Sequence, residues 1–186
     1  MTVPTDLDQR FRDAAERAGM LDAAYDVIES ELGPLLAAVT DRGLARITYD
    51  PDPEQELERL ARAAGPRVLR VPRALDDARR ELDDYFAGRR RAFDLALDLR
   101  GQAPFAVAVL DELARVPYGH TATYGELATR AGNPRAARAV GMVMNRNPIP
   151  IVLPCHRIVG ASGSLVGYGG GLERKEKLLR LEGAIL

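Results

Sequence analysis

The chain has 186 residues, of which 26 are Lys or Arg, 27 are Asp or Glu, and 46% are hydrophobic. This composition excludes disorder, collagen and a coiled coil as descriptions of the whole chain. No apolar run approaches the ~20 residues that cross a bilayer, and the polar first residues do not resemble a secretory signal, so we expect no membrane partner. The single cysteine, Cys155, cannot form an internal disulfide and favours a reducing, cytoplasmic setting.

The charges are distributed unevenly along the chain. Residues 115–186 carry ten basic and four acidic side chains, whereas residues 1–114 carry 16 basic and 23 acidic ones. A basic C-terminal part indicates a polyanionic partner, although a functionless variation in surface charge explains the asymmetry equally well.

The N-terminal half has the pattern of a small α/β domain. Residues 5–20 predict a short amphipathic helix, an extension that packs on the body. Turn residues separate three β-type runs, which predicts antiparallel hairpins over 25–30, 35–40 and 44–49. Helical patterns follow over 53–64 and 75–86, with a possible strand over 67–71 between them, and residues 93–99 alternate with the period of a strand.

The composition changes near residues 99–104. We therefore predict a helical extension over residues 1–20, an α/β domain over 21–100 and a C-terminal domain over 101–186. Residues 105–115 have a helical pattern, and residues 124–130 predict a short helix capped by Thr121 or Thr123. Gly132-Asn133-Pro134 breaks that helix, and a second one is predicted over 134–145.

Two short helices about a tight turn are typical of a helix-turn-helix, although many helical hairpins bind no DNA. Arg135 and Arg138 share one side of the second predicted helix with Met142 and Asn145. Small residues in the same helix allow another surface to approach closely, and they include Ala136, Ala137, Ala139 and Gly141. This helix is the candidate DNA-reading element.

Residues 147–158 contain three prolines that stiffen the backbone before Cys155. A lone cysteine is most often a small buried hydrophobe. Here His156 and Arg157 follow it at once, which favours the nucleophilic thiolate, and His156 is the candidate base. Neighbours in an extended chain point to opposite sides, so a turn or a water must connect the two side chains. Glu182, at the end of a helix predicted over 172–181, is the candidate partner that fixes the imidazole tautomer.

Residues 160–171 contain six glycines, so their backbone can approach a flat ligand closely. The segment lacks the Gly-Lys-Ser/Thr of a phosphate-binding loop, which excludes a nucleoside triphosphatase. Tyr168 either forms one wall of a pocket or fills the core.

These residues resemble the O6-alkylguanine-DNA alkyltransferase family, the methylated-DNA–protein-cysteine S-methyltransferases. The resemblance covers residues 24–186 and is closest over 118–183. Three segments carry it: residues 147–157, which end in Pro154-Cys155-His156-Arg157, then Gly169-Gly170-Gly171-Leu172, then Leu181-Glu182-Gly183. It implies an α/β (α+β) fold, with a small ribonuclease-H-like antiparallel-sheet N-terminal domain and a helical helix-turn-helix C-terminal domain.

The resemblance also implies a chemistry. Cys155 would take the alkyl group from O6 of guanine in DNA, or from O4 of thymine, in one irreversible turnover without cofactor or metal. His156, acting through a water, and Glu182 would generate the thiolate. Tyr124 would donate toward the guanine N3, and Asn147 would brace the segment before the cysteine.

The remaining implied residues contact DNA or surround the base. Arg138 would fill the gap left by the flipped nucleotide. The DNA surface would comprise Arg135, Arg138, Tyr124, Ala137 and Ala139. The pocket would comprise Met144, Pro150, Ile158, Tyr168, Gly169 and Gly170. The expected partner is double-stranded DNA that contains O6-alkylguanine, and the expected state is a monomer.

Two other functions are compatible with the same residues. The first is a DNA-binding regulator in which Cys155 is structural. The second is a cysteine hydrolase that uses Cys155 and His156.

Overall fold

The structure is a computed structural model that describes residues 5–186, so the first four residues of the predicted extension lie outside the described residues. The chain divides into two compact units. The first unit comprises the residues up to 84 together with 94–100, and the second comprises residues 85–93 together with 101–186.

The first unit begins with the predicted helix, α1, over Thr5–Arg17. It ends slightly earlier than expected, and Gly19 follows in a left-handed conformation at φ 63°. Arg73 Nη2 donates to the carbonyl oxygen of Asp13 and pairs with Glu16, both at 2.6 Å. These contacts hold the helix against the rest of the unit.

The first unit is built on a four-stranded sheet with the order β3-β2-β1-β4. Its strands are β1 Ala23–Ile28, β2 Leu35–Thr40, β3 Gly43–Tyr49 and β4 Val68–Arg70. The pairs β1–β2 and β2–β3 are antiparallel, which confirms the predicted hairpins. Strand β4 pairs parallel to β1, because the crossover helix α2 (Pro53–Ala64) returns the chain in the same direction. Helix α3 spans Asp76–Phe86 and crosses from the first unit into the second.

The period-two pattern over residues 93–99 does not produce a full strand. Only Leu97 forms a bridge, to Leu44, although the Leu44 amide donates to the Ala96 carbonyl at 2.8 Å. Next to that bridge the segment is held by a side-chain hydrogen bond, in which the Thr40 hydroxyl donates to Asp98 at 2.6 Å. Alternation alone therefore overestimated the strand.

The second unit packs short helices around a small parallel β-pair. The helices are α4 Pro104–Ala114, α5 Tyr124–Arg130, α6 Ala137–Asn145 and α7 Leu172–Leu181, and the strands are β5 Ala122–Thr123 and β6 Ile158–Val159. Its core includes fully buried residues of α4, α5, α6 and α7, among them Leu110, Leu113, Leu127, Val140 and Leu179. No helix within residues 5–186 is long and apolar enough to cross a membrane.

The helix-turn-helix pair α5–α6 is present, but its second helix begins three residues later than predicted. Gly132, at φ 82°, ends the first helix, and the Ala136 amide donates to the Asn133 carbonyl at 3.0 Å within the turn. Pro134 lies in this turn because its ring disfavours a helical conformation at the residue before it. Arg135 therefore precedes α6, and Arg138 is the arginine on the helix itself.

Candidate active site

The β5–β6 pair brings the cysteine segment next to the helix-turn-helix. Ala122 pairs with Ile158 and Thr123 with Val159. Thr123 is also the N-cap of α5, since its hydroxyl accepts from the Glu126 amide at 3.2 Å, while Glu126 accepts from the Thr123 amide at 2.7 Å. This reciprocal capping box confirms Thr123 as the cap and fixes the helix start beside the strand that follows the cysteine.

Cys155 opens a 3-10 turn over Cys155–Arg157 and is only 4% exposed. The side chain of Asn147, just beyond the end of α6, braces the approach to this turn. Its Nδ2 donates to the Leu153 carbonyl at 2.8 Å, and its Oδ1 accepts from the Ile149 amide at 3.1 Å. Between these anchors Ile151 has φ 76°, which is strained for a β-branched residue. The bracing therefore holds a strained backbone in one conformation before the cysteine.

The sequence neighbours of Cys155 favour the thiolate, but burial of the side chain acts against it. Burial raises the pKa of the Cys155 thiol to about 11. The Asn147 side chain, the positive charge of Lys175 and the backbone amides of Cys155 and His156 act in the opposite direction. The thiol therefore keeps its proton at neutral pH until a base removes it.

His156 and Glu182 form the pair that the sequence predicted. Their Nε2 and Oε1 atoms lie 2.9 Å apart, and both side chains are fully buried. Burial lowers the pKa of His156 below its ordinary 6.5, despite the favourable carboxylate. The neutral ring donates from Nε2 to Glu182, which leaves the lone pair of Nδ1 free to accept a proton. Nδ1 is buried and has no hydrogen-bond partner among residues 5–186.

Glu182 is saturated with donors. Arg157 donates from Nε to Oε2 and from Nη2 to Oε1, both at 2.9 Å. The Tyr85 hydroxyl donates to Oε1 at 2.6 Å, and the Gly119 amide donates to Oε2 at 3.3 Å. Burial by itself would raise the pKa of Glu182, but the bonds from His156 and Arg157 lower it to about 2. The carboxylate is thus a fixed negative charge behind the imidazole.

Sequence reasoning missed part of this network. Arg157 was expected only as a nearby cation, yet it is buried and also donates to the Val116 carbonyl at 2.5 Å. Tyr85 fitted a helical core stripe, and nothing in that stripe indicates a partner for its hydroxyl. Its link to Glu182 spans 97 residues.

Tyr124, the first residue of α5, lies between α6 and the glycine-rich loop. Its hydroxyl donates to the carbonyls of Val166 and Gly167 at 3.2 and 3.4 Å. A Cβ placed on Gly141 of α6 would lie 3.9 Å from the Tyr124 ring. Gly167 has φ 47°, a conformation that glycine adopts without strain.

The other predicted residues lie around these elements. Arg135 and Arg138 are exposed, and Ala137 and Ala139 are half-buried. Met144, Pro150 and Ile158 are buried, Tyr168 and Gly170 are half-buried, and Gly169 is exposed. Ile158 directly follows the cysteine turn, and its amide donates to the Cys155 carbonyl. Pocket lining by these residues stays a prediction. Within residues 5–186 no group of three or more His, Cys, Asp or Glu side chains could hold a metal ion.

Comparison with known proteins covers both units. Residues 23–99 match the ribonuclease-like domain of 6-O-methylguanine DNA methyltransferase, and residues 104–184 match its DNA binding domain. A methylated-DNA–protein-cysteine methyltransferase of Methanosarcina acetivorans is 41% identical over 167 residues, which are 86% of this chain and 98% of the relative. One of Mycolicibacterium paratuberculosis is 44% identical over 163 residues, which are 85% of this chain and 91% of the relative.

Solved structures agree with these relatives. The crystal structure of Mycobacterium tuberculosis OGT in complex with DNA superimposes with a TM-score of 0.76 at 41% identity, covering 87% of this chain and 93% of that one. The fold class expected from the sequence is confirmed, with an antiparallel hairpin sheet in the first unit and a helix-turn-helix in the second. The matched domains span most of the chain, so the chain belongs to the 6-O-methylguanine-DNA methyltransferase family.

Proposed function

We propose that this protein repairs DNA by transferring an alkyl group, in the first instance methyl, from O6 of guanine in a duplex to Sγ of Cys155. The observation that carries this proposal is the continuous chain of contacts from the helix-turn-helix, through the β5–β6 pair, to a buried cysteine turn backed by His156 and Glu182. O4 of thymine presents the same alkyl carbon and is a second substrate position.

The proton of the thiol leaves first. The free lone pair on His156 Nδ1 supports a path in which a water carries that proton from Sγ to the ring. The resulting imidazolium is stabilised by the Glu182 carboxylate, which stays ionised because its pKa is about 2. Asn147 and the two backbone amides then stabilise the thiolate.

Transfer exchanges one bond for another. The S–C bond forms as the C–O6 bond breaks, and the guanine leaves with the electron pair and recovers a proton. The product thioether has no good leaving group, so no residue of the site can restore the thiol. One protein molecule therefore repairs one base, without a cofactor.

The target base must leave the duplex to reach a buried sulfur, which costs a few kcal/mol of stacking and pairing. Arg138, which is exposed on α6, would occupy the vacated space. The half-buried Ala137 and Ala139 let the backbone of this helix approach the groove. A thiol that must stay reduced to react fits a reducing, cytoplasmic compartment.

The proposal is tested by intact-mass analysis after mixing the protein with a duplex that contains O6-methylguanine. We expect the mass to rise by one CH2 unit, located at Cys155 by peptide mapping, with one duplex repaired per protein. Cys155→Ser should bind the same duplex without gaining mass. Repeated turnover would contradict the proposal, and unchanged mass would favour a regulator. Ester hydrolysis that the Ser variant loses would favour a cysteine hydrolase.

A further inference from the structure

Lys175, in the first turn of α7, is a fully buried lysine. Its Nζ donates to the carbonyl of Ile158 at 2.5 Å, to that of Val166 at 2.9 Å and to that of Gly167 at 3.5 Å. The first carbonyl belongs to β6, directly after the cysteine turn, and the other two belong to the glycine-rich loop. One ammonium group therefore ties the loop to the cysteine segment.

Within residues 5–186, the hydrogen-bond acceptors of this buried cation are all main-chain oxygens. Desolvation lowers the pKa of Lys175 to about 8, and the one charge that raises it is that of Cys155. The influence is mutual, since Lys175 lowers the pKa of the Cys155 thiol. A neutral donor could bind the same carbonyls. Holding the loop therefore does not by itself require a positive charge near the Cys155 sulfur.

The same loop carbonyls accept from Tyr124. Val166 and Gly167 receive both the Tyr124 hydroxyl and the Lys175 ammonium. Loss of the ammonium therefore removes a donor that the Val166 and Gly167 carbonyls share with Tyr124, as well as the bond to the Ile158 carbonyl.

The other titratable groups near this ammonium have identified partners. Lys175 contributes to the lowered pKa of His156, which donates to Glu182, and Glu182 is also paired with Arg157. The pKa of Tyr124 is raised by burial and by Cys155. On its own helix, Lys177 pairs with Glu173 at 2.9 Å on the exposed surface. Lys175 is thus the cation that acts on the thiol without a carboxylate partner in the structure's described part.

We propose that Lys175 is a positioning residue for the alkyl transfer: it fixes the Val166–Gly167 segment against the cysteine turn, and its ammonium stabilises the Cys155 thiolate. This inference rests on the proposed function for its role in repair. Its effect on the thiolate is independent of DNA.

The test uses the full chain and four variants. Lys175→Met removes the charge and the hydrogen bonds, Lys175→Gln removes the charge but keeps a donor, and Lys175→Arg keeps both. Lys177→Met is the matched control on the exposed side of α7. Two rates are measured: labelling of Cys155 by iodoacetamide without DNA, and single-turnover methyl transfer from an O6-methylguanine duplex.

We expect Lys175→Met and Lys175→Gln each to slow iodoacetamide labelling about tenfold at pH ~8, since loss of a nearby opposite charge raises a thiol pKa by about one unit or more. Methyl transfer should fall at least as far. Lys177→Met should match the wild type in both assays, and Lys175→Arg should label at close to the wild-type rate. Lys175→Gln decides the question if Lys175→Met does not fold.

Wild-type labelling by a correctly folded Lys175→Gln would overturn the inference, because Lys175 would then be a structural residue only. The inference would also be overturned if iodoacetamide labelling were unchanged and methyl transfer fell only in proportion to the loss of thermal stability. If labelling falls as expected but the wild type takes no methyl from DNA, the proposed function fails while the effect of Lys175 on the thiolate stands.

Discussion

Each of the two units buries a glutamate that pairs with arginine, but the hydrogen-bond networks around the two carboxylates differ. In the first unit Glu56 is 3% exposed and pairs with Arg46 and Arg59, each at 2.5 Å. Those guanidinium groups reach solvent, so the network ends at the surface. In the second unit Glu182 is 5% exposed and pairs with Arg157, but its network continues through His156 to a ring nitrogen without a partner among residues 5–186.

The two networks differ in whether they end at a side chain that can still accept a proton. Both carboxylates have a lowered pKa, because hydrogen bonds from His156 and Arg157 offset the burial of Glu182 and those from arginines offset the burial of Glu56. The network of Glu56 joins helix α2 to strand β3 through Arg46 and Thr48, and thereby stabilises the first unit. The network of Glu182 presents an acceptor next to a cysteine in sequence, which is the arrangement that a proton relay requires.

The largest effect is expected for Glu182→Gln. Arg157 would remain buried without its anion, which costs roughly 3 kcal/mol of unfolding free energy. The imidazolium would lose its stabilising charge, so single-turnover methyl transfer should slow by about 10² or more. Urea denaturation and rapid-quench assays measure the two quantities.

Glu56→Gln is the matched control in the first unit. It should also destabilise the protein, by roughly 1–2 kcal/mol because its arginines can turn to solvent, and it should leave the transfer rate unchanged. Equal rate losses in the two variants would mean that Glu182 acts only through stability.

Glu182→Gln also predicts a pH dependence of stability with a defined sign. The pKa of Glu182 falls from its ordinary 4.5 to about 2 on folding, so its contribution to stability is complete above 4.5 and is lost as the pH falls toward 2. The difference in unfolding free energy between wild type and Glu182→Gln should therefore be constant from neutral pH down to pH 4.5. It should shrink as the pH falls further, from 4.5 toward 2. A difference that grows with acidification would contradict the assignment of Glu182 as ionised.

A smaller effect is expected at the DNA surface. Arg138→Ala removes the side chain proposed to replace the flipped base, so repair of a duplex should slow about tenfold, while repair of a single-stranded oligonucleotide changes little. Arg180→Ala, which removes an exposed arginine paired with Glu176 on α7, should leave both rates unchanged. Equal losses on single and double strands would exclude a role for Arg138 in base extrusion.

The smallest effect is expected at the start of α5. Thr123→Ala removes the N-cap of the helix that carries Tyr124 and should cost about 1 kcal/mol of unfolding free energy. Thr129→Ala removes an exposed hydroxyl in the same helix, which donates to the Gly125 carbonyl, and should be nearly neutral. Thermal unfolding of both variants measures the difference, and equal shifts would show that the cap contributes nothing.

Local signals in the sequence predicted much of this architecture. Apolar periodicity located the helices and hairpins, and turn residues separated them. The cysteine, histidine and glutamate were identified from their chemistry together with the family resemblance, and the structure joins the last two directly. These features depend on short stretches of chain, which one sequence displays.

The features that sequence reasoning missed depend on distant partners. Lys175 lies in a charged stretch of α7 that resembles a solvent-facing surface, yet it is buried and donates to the carbonyls of Ile158, Val166 and Gly167. The raised pKa of Cys155 reflects burial, which no neighbour in the sequence reveals. The start of α6 was placed too early because proline is tolerated in a first turn, whereas here the preceding glycine and asparagine complete a separate turn.

The pH profile of single-turnover methyl transfer tests the relay most directly. A neutral imidazole that removes the thiol proton predicts a wild-type rate that is nearly constant between about pH 7 and 9 and falls below the lowered pKa of His156, whereas His156→Gln should be slow and rise about tenfold per pH unit. A wild-type rate that itself rises tenfold per unit over this range would show that the thiol loses its proton to solvent, and the relay through His156 and Glu182 would be wrong.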